Sequence, residues 1–546
     1  MSARFFSPSA LLFLLGCAPI LLALHFMHAY WVPLPYWDEW FTPAQQLISL
    51  HQGTLSLPEL FSQHNESRPF FPRLVMPLLA APAGWDVRQE MVASFVTVCA
   101  AAGAVYLLLR RCTGLSRNSR LAVWALTSFL FFSPCGYENF LNARHFGNFI
   151  PSVALLLALL VNFSRRSFAA KTCLNASLAL IATYSMPHGL FLWLFAWPIA
   201  SQPNESERRW LWRGAFLTVA LLSVVGYFWN YQQPTGTPAF VSPFTHLGLL
   251  FHYLLLWSGD LFFLSSTDPL LRGIGVLTLF FALAATAIFF AARDGNWRSV
   301  YPWLVLGFFT LLSGLTAAAG RLGFGLQQAL DQRYTSYTVF FYVAIVGLAA
   351  TLLPRSGGWR VAAVALIALG AFLWGESLVR VTPRLEADKR MREHFLLALR
   401  WAAVIPDNPE FREIAPYPET PRRIQQLIRF DILRPRAITG PLAQIVRGQP
   451  AQAATPAIGR LTATSTGTLG LIEVEASAKK ADCIILGLTT ARIPFQPVAV
   501  FSNQEKQLVD LTRYRDRPGH LSGWAVFLKQ RRAVPLAGTI AFDPAR

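Results

Sequence analysis

The chain has 546 residues, of which 54% are hydrophobic and only 14% charged, with a mean hydropathy of +0.40 and a formal charge of +18. Soluble globular chains carry about 25% charged residues, so a water-soluble globular protein is excluded and a polytopic membrane protein is indicated. The charge is uneven: residues 380–546 hold 25 Lys and Arg against 15 Asp and Glu. On a domain tethered to a membrane this surplus points to lipid headgroups and lipid phosphates as partners, not to nucleic acid. The six cysteines show no paired spacing, which excludes a disulfide framework or a zinc site.

The first apolar run, residues 9–31, follows Arg4 and has no small-residue cleavage site after it, so it reads as an uncleaved anchor. Further apolar segments recur at 89–109, 121–134, 148–163, 172–186, 189–200, 214–231, 245–264, 271–292, 301–319, 336–353 and 361–379. Arg110, Arg111, Arg117 and Arg120 mark one loop, Arg165, Arg166 and Lys171 a second, and Arg208, Arg209 and Arg213 a third. These alternate with loops poor in Lys and Arg, which places them and the N-terminus in the cytoplasm. Arg293, Arg298, Arg355 and Arg360 obey the same rule only if one segment between 231 and 292 does not cross. The segment 245–264, with His246, His252, Trp257 and Gly259-Asp260, is the one expected to be re-entrant or interfacial.

The fold expected is therefore a polytopic α-helical membrane protein of about eleven spanning helices plus one re-entrant segment, with a mainly-β domain at the C-terminus. Residues 1–380 form the membrane domain and 381–455 a helical and irregular connector. Residues 456–546 form a small β-sandwich on the periplasmic or extracellular side. The connector begins helically at Leu385–Val404 and breaks at Pro406-Asp407-Asn408-Pro409. Period-two alternation then predicts strands at Leu469–Glu475, Cys483–Leu488, Pro497–Phe501, Leu521–Leu528 and Val534–Phe542. The location implied is a bacterial inner membrane.

With this topology the unusual polar residues gather outside. Tyr36-Trp37-Asp38-Glu39-Trp40 follows the first segment directly, two adjacent carboxylates at the depth where indole rings prefer to lie. Paired acids there repel each other and lose hydration. The same outer loop carries His64, Glu66, Arg68 and Arg73. Other outer loops carry Glu138, Arg144 and His145, then His188, and then Arg321, Asp331, Arg333 and Tyr334. Any one of these is a solvated loop residue more often than a ligand. As a set, charges abutting apolar helix ends suggest one outward cavity at headgroup depth. A carboxylate there takes a proton from an attacking hydroxyl or holds a divalent metal, Asp38 being the candidate ligand. Arg and His neutralise a departing phosphate. Transfer of a sugar from a polyprenyl-phosphate donor meets these conditions.

An acid pair in the first outer loop, after helix 1 of a many-helix chain with an outward C-terminal domain, resembles the GT-C superfamily of integral-membrane glycosyltransferases. Protein O-mannosyltransferases and lipid A aminoarabinose transferases belong to it. The resemblance covers the architecture of residues 1–380 and rests on Asp38-Glu39. The runs Gln63–Arg68, Tyr184–Leu190 and Gln332–Thr335 are similar to those of bacterial membrane proteins of this general type. It implies that Asp38 is the base or the acid of a metal and phosphate site, with Glu39 beside it. His64, Glu66, Arg68, Glu138, Arg144, His145, His188, Arg321, Arg333 and Tyr334 would contact substrate or phosphate. The partners implied are a polyprenyl-phosphate sugar, the bilayer and a lipid, glycan or protein acceptor. Segments 172–186 and 189–200 are short for the family, and the oligosaccharyltransferase signature is absent. An O-antigen polymerase or ligase would need a large central outer loop. A transporter or flippase would need ionisable residues at helix centres, where Asp260 is the main one.

Overall fold

A computed structural model describes residues 7–200, 209–234, 246–261, 268–352, 359–439, 458–463, 469–474, 481–490, 496–504, 506–511, 519–530 and 532–542. Arg208 and Arg355 lie outside these. Along the chain run helices α1 (Pro8–Tyr30), α2 (Ala44–His51), α3 (Leu57–Phe61), α4 (Phe70–Ala80), α5 (Val87–Cys112), α6 (Arg117–Phe131) and α7 (Tyr137–Leu141). Then come α8 (Phe146–Asn162), α9 (Phe168–Thr183), α10 (Leu192–Phe195), α11 (Arg209–Phe228) and α12 (Leu247–Ser258). The last are α13 (Pro269–Asp294), α14 (Trp297–Arg321), α15 (Thr335–Leu352), α16 (Trp359–Arg400), α17 (Phe411–Ile414) and α18 (Thr420–Arg429). Among the described residues eight helices are long and apolar enough to cross a membrane: Pro8–Tyr30, Val87–Cys112, Ala143–Asn162, Arg209–Phe228, Pro269–Asp294, Trp297–Phe324, Gln332–Leu352 and Val364–Arg400. The chain divides into two compact units. The first is Met1–Trp31, Ser56–Met76 and Arg88–Glu386; the second is Val32–Leu55, Pro77–Val87 and Ala387–Arg546.

Helix starts in the first unit follow local rules. Ser7 and Ser167 accept from the backbone N–H groups of Ala10 and Ala170, and Ser116 accepts from Ser119. Asp268 caps Leu270 with Pro269 at the first helical position, and Gly295 closes α13 at φ +67°. Packing uses aromatic rings seated on glycines. A Cβ at Gly16 of α1 would fall 2.2 Å from the Trp124 ring of α6. One at Gly307 of α14 would meet Phe280 of α13 at 2.3 Å, and one at Gly347 of α15 would meet Trp303 of α14 at 2.1 Å. Helix α14 thus receives a ring from α13 and inserts one into α15, the close approach that small residues permit in apolar bundles.

Two elements depart from the sequence reading, and a third, α12, is as short as that reading expected of a segment that does not cross. The segment 189–200 is not a helix long enough to span. Pro187–Phe191 is a 3₁₀ turn, α10 is one turn of α-helix, and residues 197–200 are irregular. Trp193 Nε1 donates to Thr183 Oγ1 near the C-terminal end of α9. Asn162, the last residue of α8, donates through Nδ2 to the Trp197 carbonyl at 2.9 Å and accepts at Oδ1 from Ile199 N–H. Irregular backbone at such depth needs buried partners, and the fully buried Asn162 supplies them. Gly189 lies so close to α9 that a Cβ there would strike the Ala182 carbonyl at 2.0 Å. Helix α12 has 12 residues, about 18 Å, short of the roughly 30 Å hydrocarbon core. It packs on α13, with Arg272 donating to the Gly259 carbonyl at 2.8 Å. The second departure is that the apolar run 361–379 and the helix expected at Leu385–Val404 are one 42-residue helix, α16, continuous through Pro383.

In the second unit the strands are β1 (Gly459–Ala463), β2 (Leu469–Val474), β3 (Cys483–Thr489), β4 (Gln496–Phe501), β5 (Lys506–Asp510), β6 (Gly519–Phe527), β7 (Arg532–Pro535) and β8 (Ile540–Phe542). They form two antiparallel sheets, β1-β2-β5 and β4-β3-β6-β7, with β8 beside β6. Leu461, Ile472 and Val509 from the first sheet meet Ile484, Leu486, Val498 and Leu521 from the second in one core. The run Val534–Phe542 is two strands, not one, broken around Gly538 at φ +88°.

A Gly347→Ala substitution is expected to destabilise the bundle by about 1–3 kcal/mol, as overpacking does. Thermal unfolding in detergent would show this, and a second change, Trp303→Leu, should return part of the loss. Equal stability of Gly347→Ala and the parent would refute the seated-ring description.

Candidate functional site

The candidate residues fall into both units: Asp38 and Glu39 in the second, the other ten in the first.

In the first unit, His64-Asn65-Glu66-Ser67 is a tight turn closed by His64 N–H to Ser67 carbonyl at 2.8 Å and the reciprocal bond at 3.0 Å. Asn65 occupies the left-handed region at φ +48°, which asparagine tolerates. The turn presents Glu66 to Arg321 Nη2 at 2.6 Å, and the Glu66 carbonyl accepts from Tyr227 Oη at 2.6 Å. Arg68 is engaged differently. Its Nε donates to the Tyr227 carbonyl at 2.7 Å, Nη1 to Phe61 at 3.0 Å, and Nη2 to Trp229. These carbonyls belong to the C-terminal ends of α3 and α11, where four acceptors lack helical partners. The neighbouring Arg73, fully buried, likewise donates to the Leu60 carbonyl at 3.2 Å and to Ser62 Oγ at 2.9 Å. Both arginines stitch backbone. The His64 ring is pushed down to about 4 by desolvation and by Arg73, against the pull of Glu66.

Three further loops converge within the same unit. Asn139 Nδ2, on α7 next to Glu138, donates to the Gln332 carbonyl at 3.2 Å and Thr335 Oγ1 at 2.9 Å. The buried His188 ring lies 4.4 Å from the Tyr337 ring, and Tyr334 lies 6.1 Å from Tyr337. Arg144, Arg321 and Arg333 all stand within electrostatic reach of Tyr337, and Glu138 within reach of Arg333. Arg333 pairs with Asp331 at 2.8 Å and lies over the Tyr334 ring at 5.3 Å. Gln328 Nε2 donates to the same Asp331 oxygen at 2.7 Å. The guanidinium is thus oriented by an acid two residues away, a pairing that the sequence reading overlooked. Tyr337 was missed too, although three residues from Tyr334 it shares a helix face. His145 is buried beside Arg144 at the start of α8. At the opposite end of this unit Arg111 donates to the Leu160 carbonyl at 2.9 Å, Arg213 lies over Trp197 at 5.7 Å and Arg298 over Phe163 at 5.6 Å.

In the second unit the acid pair sits on a 3₁₀ turn, Trp37–Trp40. Trp37 opens it at φ +54°, a genuine strain for a bulky residue. The result is a division of faces: Trp37 is 49% exposed, whereas Asp38 and Glu39 are 8% and 1% exposed. Glu39 Oε2 accepts from Tyr36 N–H at 2.9 Å, and the Asp38 carbonyl accepts from Phe41 and Thr42 N–H at 2.9 and 2.8 Å. Trp40 anchors the turn through Nε1 to the Pro35 carbonyl at 2.8 Å and edge-on packing against Trp85 at 5.8 Å. Residues from the C-terminal block close over it. Arg392 lies over Tyr36 at 5.1 Å, Arg423 donates to the Trp40 carbonyl at 3.0 Å, and Tyr417 Oη donates to Asp38 Oδ1. Tyr417 was missed, although Pro416-Tyr417-Pro418 marks a residue held rigid in a polar stretch. Among the described residues no three His, Cys, Asp or Glu side chains cluster with metal-holding geometry.

Arg68→Ala should lower thermal stability by about 2 kcal/mol or more, since charged hydrogen bonds contribute roughly 1.5–3 kcal/mol each. Arg68→Lys should recover little, because the three carbonyls are met by three separate nitrogens of the guanidinium and a single ammonium nitrogen cannot span them. Wild-type melting of Arg68→Ala in detergent would return Arg68 to the list of free ligands. Comparison of the chain with family models, with curated proteins and with solved structures gave no match.

Proposed function

We propose that this chain is a membrane glycosyltransferase, moving a sugar from a polyprenyl-phosphate carrier to an acceptor on the outer side of the membrane. The carrying observation is the acid turn. Two adjacent carboxylates, nearly withdrawn from solvent, are kept in a strained turn six residues after the first apolar helix ends. Burying paired acids is expensive, and strain of this kind persists where surrounding structure over-determines it. Asp38 takes the proton of the acceptor hydroxyl as its oxygen attacks the anomeric carbon. The bond from that carbon to the phosphate oxygen breaks, and the carrier leaves as polyprenyl phosphate. Glu39, tied to Tyr36 N–H, holds the turn.

The end of the first unit that carries Arg144, Arg321 and Arg333 suits an anionic donor: Arg333 is aimed by Asp331, and guanidiniums recognise phosphate bidentately. The opposite end, with Arg111, Arg213 and Arg298, is read as cytoplasmic by the positive-inside rule. The carboxylate oxygens of the acid turn are hard donors that suit Mg²⁺ or Mn²⁺, and such ions often take one or two carboxylates with substrate phosphate and water completing the shell. Holding such an ion would be the alternative role of Asp38, in place of proton abstraction, and the ion would supply charge neutralisation on the phosphate.

Comparison of lipid extracts from a deletion strain and its parent, seeking an accumulated polyprenyl-phosphate sugar, identifies the donor for assay in nanodiscs. Asp38→Asn should then lose about 10²–10⁴-fold in transfer, the usual contribution of a general base, while expression and melting stay unchanged. Near wild-type transfer by Asp38→Asn would remove the main support for this reading.

Arg333→Lys keeps the charge and loses the fork, and is expected to raise the KM for the lipid donor about tenfold, the equivalent of roughly 1.4 kcal/mol. An unchanged KM in Arg333→Ala would exclude phosphate contact by this residue.

A further inference from the structure

Helix α12 is too short to cross a bilayer, yet it is fixed inside the first unit. Its last carbonyls are held there, Gly259 accepting from Arg272 at 2.8 Å and Ser258 from Tyr342 Oη at 2.9 Å. Leu250, Tyr253, Leu254 and Trp257, at helical spacing, form a buried face, whereas Leu247, Leu249 and Phe251 are exposed and apolar. The helix is therefore a wall, with an apolar outer face on one side and the turns between α14 and α15 on the other.

What this wall turns inward is Tyr253. Tyr253 and Tyr334 are both buried, and their hydroxyls stand against each other. Neither oxygen has a partner in hydrogen-bonding geometry among the described residues. Two hydroxyls share one bond at most, so at least one O–H proton lacks an acceptor in any arrangement of the pair. Arg333 adds a further donor. Its guanidinium is within electrostatic reach of both tyrosines, and its Nε–H is buried without a partner. Asp331 is already engaged, Oδ2 by Arg333 Nη2 and Gln328, Oδ1 by the Arg333 N–H. Buried donors without acceptors are expensive. The Arg333 and Asp331 side chains are 31% and 27% exposed, so the group opens to solvent through them, with the two hydroxyls behind.

A ligand suited to such a group carries several acceptor oxygens on one centre. A carboxylate has two, in one plane, and a neutral sugar brings O–H donors of its own. A phosphate monoester has three terminal oxygens in tetrahedral array, one for Arg333 and the others for the two hydroxyls, and its charge strengthens each bond. The exposed apolar face of α12 suits the hydrocarbon chain of a lipid ester.

We propose that α12 is the wall of a phosphate site, in which Tyr253 and Tyr334 donate their hydroxyls to the phosphate of a lipid carrier. This rests on the reading of Arg333 as a phosphate contact and adds to that site a helix and a residue, Tyr253.

The test reads binding without transfer, on the full-length protein in detergent, by native mass spectrometry and thermal shift. The probes are undecaprenyl phosphate, undecaprenol and inorganic phosphate, and the variants are Tyr253→Phe, Tyr334→Phe and Arg333→Ala. The wild type should bind undecaprenyl phosphate about tenfold or more tightly than undecaprenol, with inorganic phosphate competing only in large excess. Each tyrosine variant should lose about tenfold in affinity for the phosphate lipid and nothing for undecaprenol. Without added ligand both should melt no lower than the wild type, because a buried hydroxyl lacking an acceptor does not stabilise the fold. Variants that melt lower and bind with wild-type affinity would make the tyrosines a structural pair and overturn the inference. An equal loss for undecaprenol and its phosphate would make them packing residues and overturn it too. Competition by inorganic phosphate at the concentration of the lipid would make a free anion the ligand and overturn the lipid carrier. Unchanged affinity in both tyrosine variants, with a loss in Arg333→Ala, would remove α12 from the site and leave the proposed function standing. Because binding is read without turnover, none of these outcomes depends on whether Asp38 performs the transfer.

Discussion

A backbone carbonyl at a helix end near lipid has no water to turn to, and much of this structure is arranged around that constraint. Arg68 and Arg73 bond the C-terminal carbonyls of α3 and α11. Arg111 serves Leu160, Arg120 serves Leu115, and Arg272 serves Gly259. The broken passage at 187–199 survives because Asn162 answers both a carbonyl and an N–H within it. A guanidinium suits this work because it stays charged and donates in several directions at once. Part of the chain's positive surplus is therefore internal carpentry.

That carpentry alters how the arginines near the candidate residues are to be weighed. Residue type alone does not distinguish Arg68 from Arg333, since both are cations at the edge of an apolar helix. Their partners do. Arg68 faces three carbonyls, whose dipoles hold it without neutralising it, and moving it would orphan all of them. Arg333 faces a carboxylate in the same short turn, with Gln328 on the same oxygen. A salt bridge of two side chains exchanges partners at lower cost than a set of helix caps, so Arg333 is the better placed of the two to accept a phosphate.

Much of the fold was legible because its signals are local. Apolar runs marked the long helices, and alternation marked β2, β3, β4 and β6 within a residue or two. What failed was non-local. Apolar composition at 189–200 carries no record that Gly189 lies against the Ala182 carbonyl or that Asn162 holds the backbone at Trp197 and Ile199. Pro383 and the charged stretch after Val379 read as a boundary, yet α16 runs through both. The pairing of Asp331 with Arg333 was within reach, two residues apart. That of Tyr417 with Asp38 was not, because no local pattern spans 379 residues.

The acid turn reverses the logic of the arginines. There, cations are recruited to backbone that would otherwise be unsatisfied; here, the backbone is bent, with Trp37 at φ +54°, so that two acids turn inward. A turn whose only task was to end α1 and start α2 needs neither the left-handed residue nor the paired charge, since serine or asparagine would cap it without strain. Nor does membrane anchoring require it: the exposed Trp37 indole would sit equally well at the interface on an unstrained chain. Strain at Trp37, the burial of Asp38 and Glu39, and the phenol that Tyr417 brings to Asp38 thus meet in one four-residue turn, which neither capping nor anchoring accounts for.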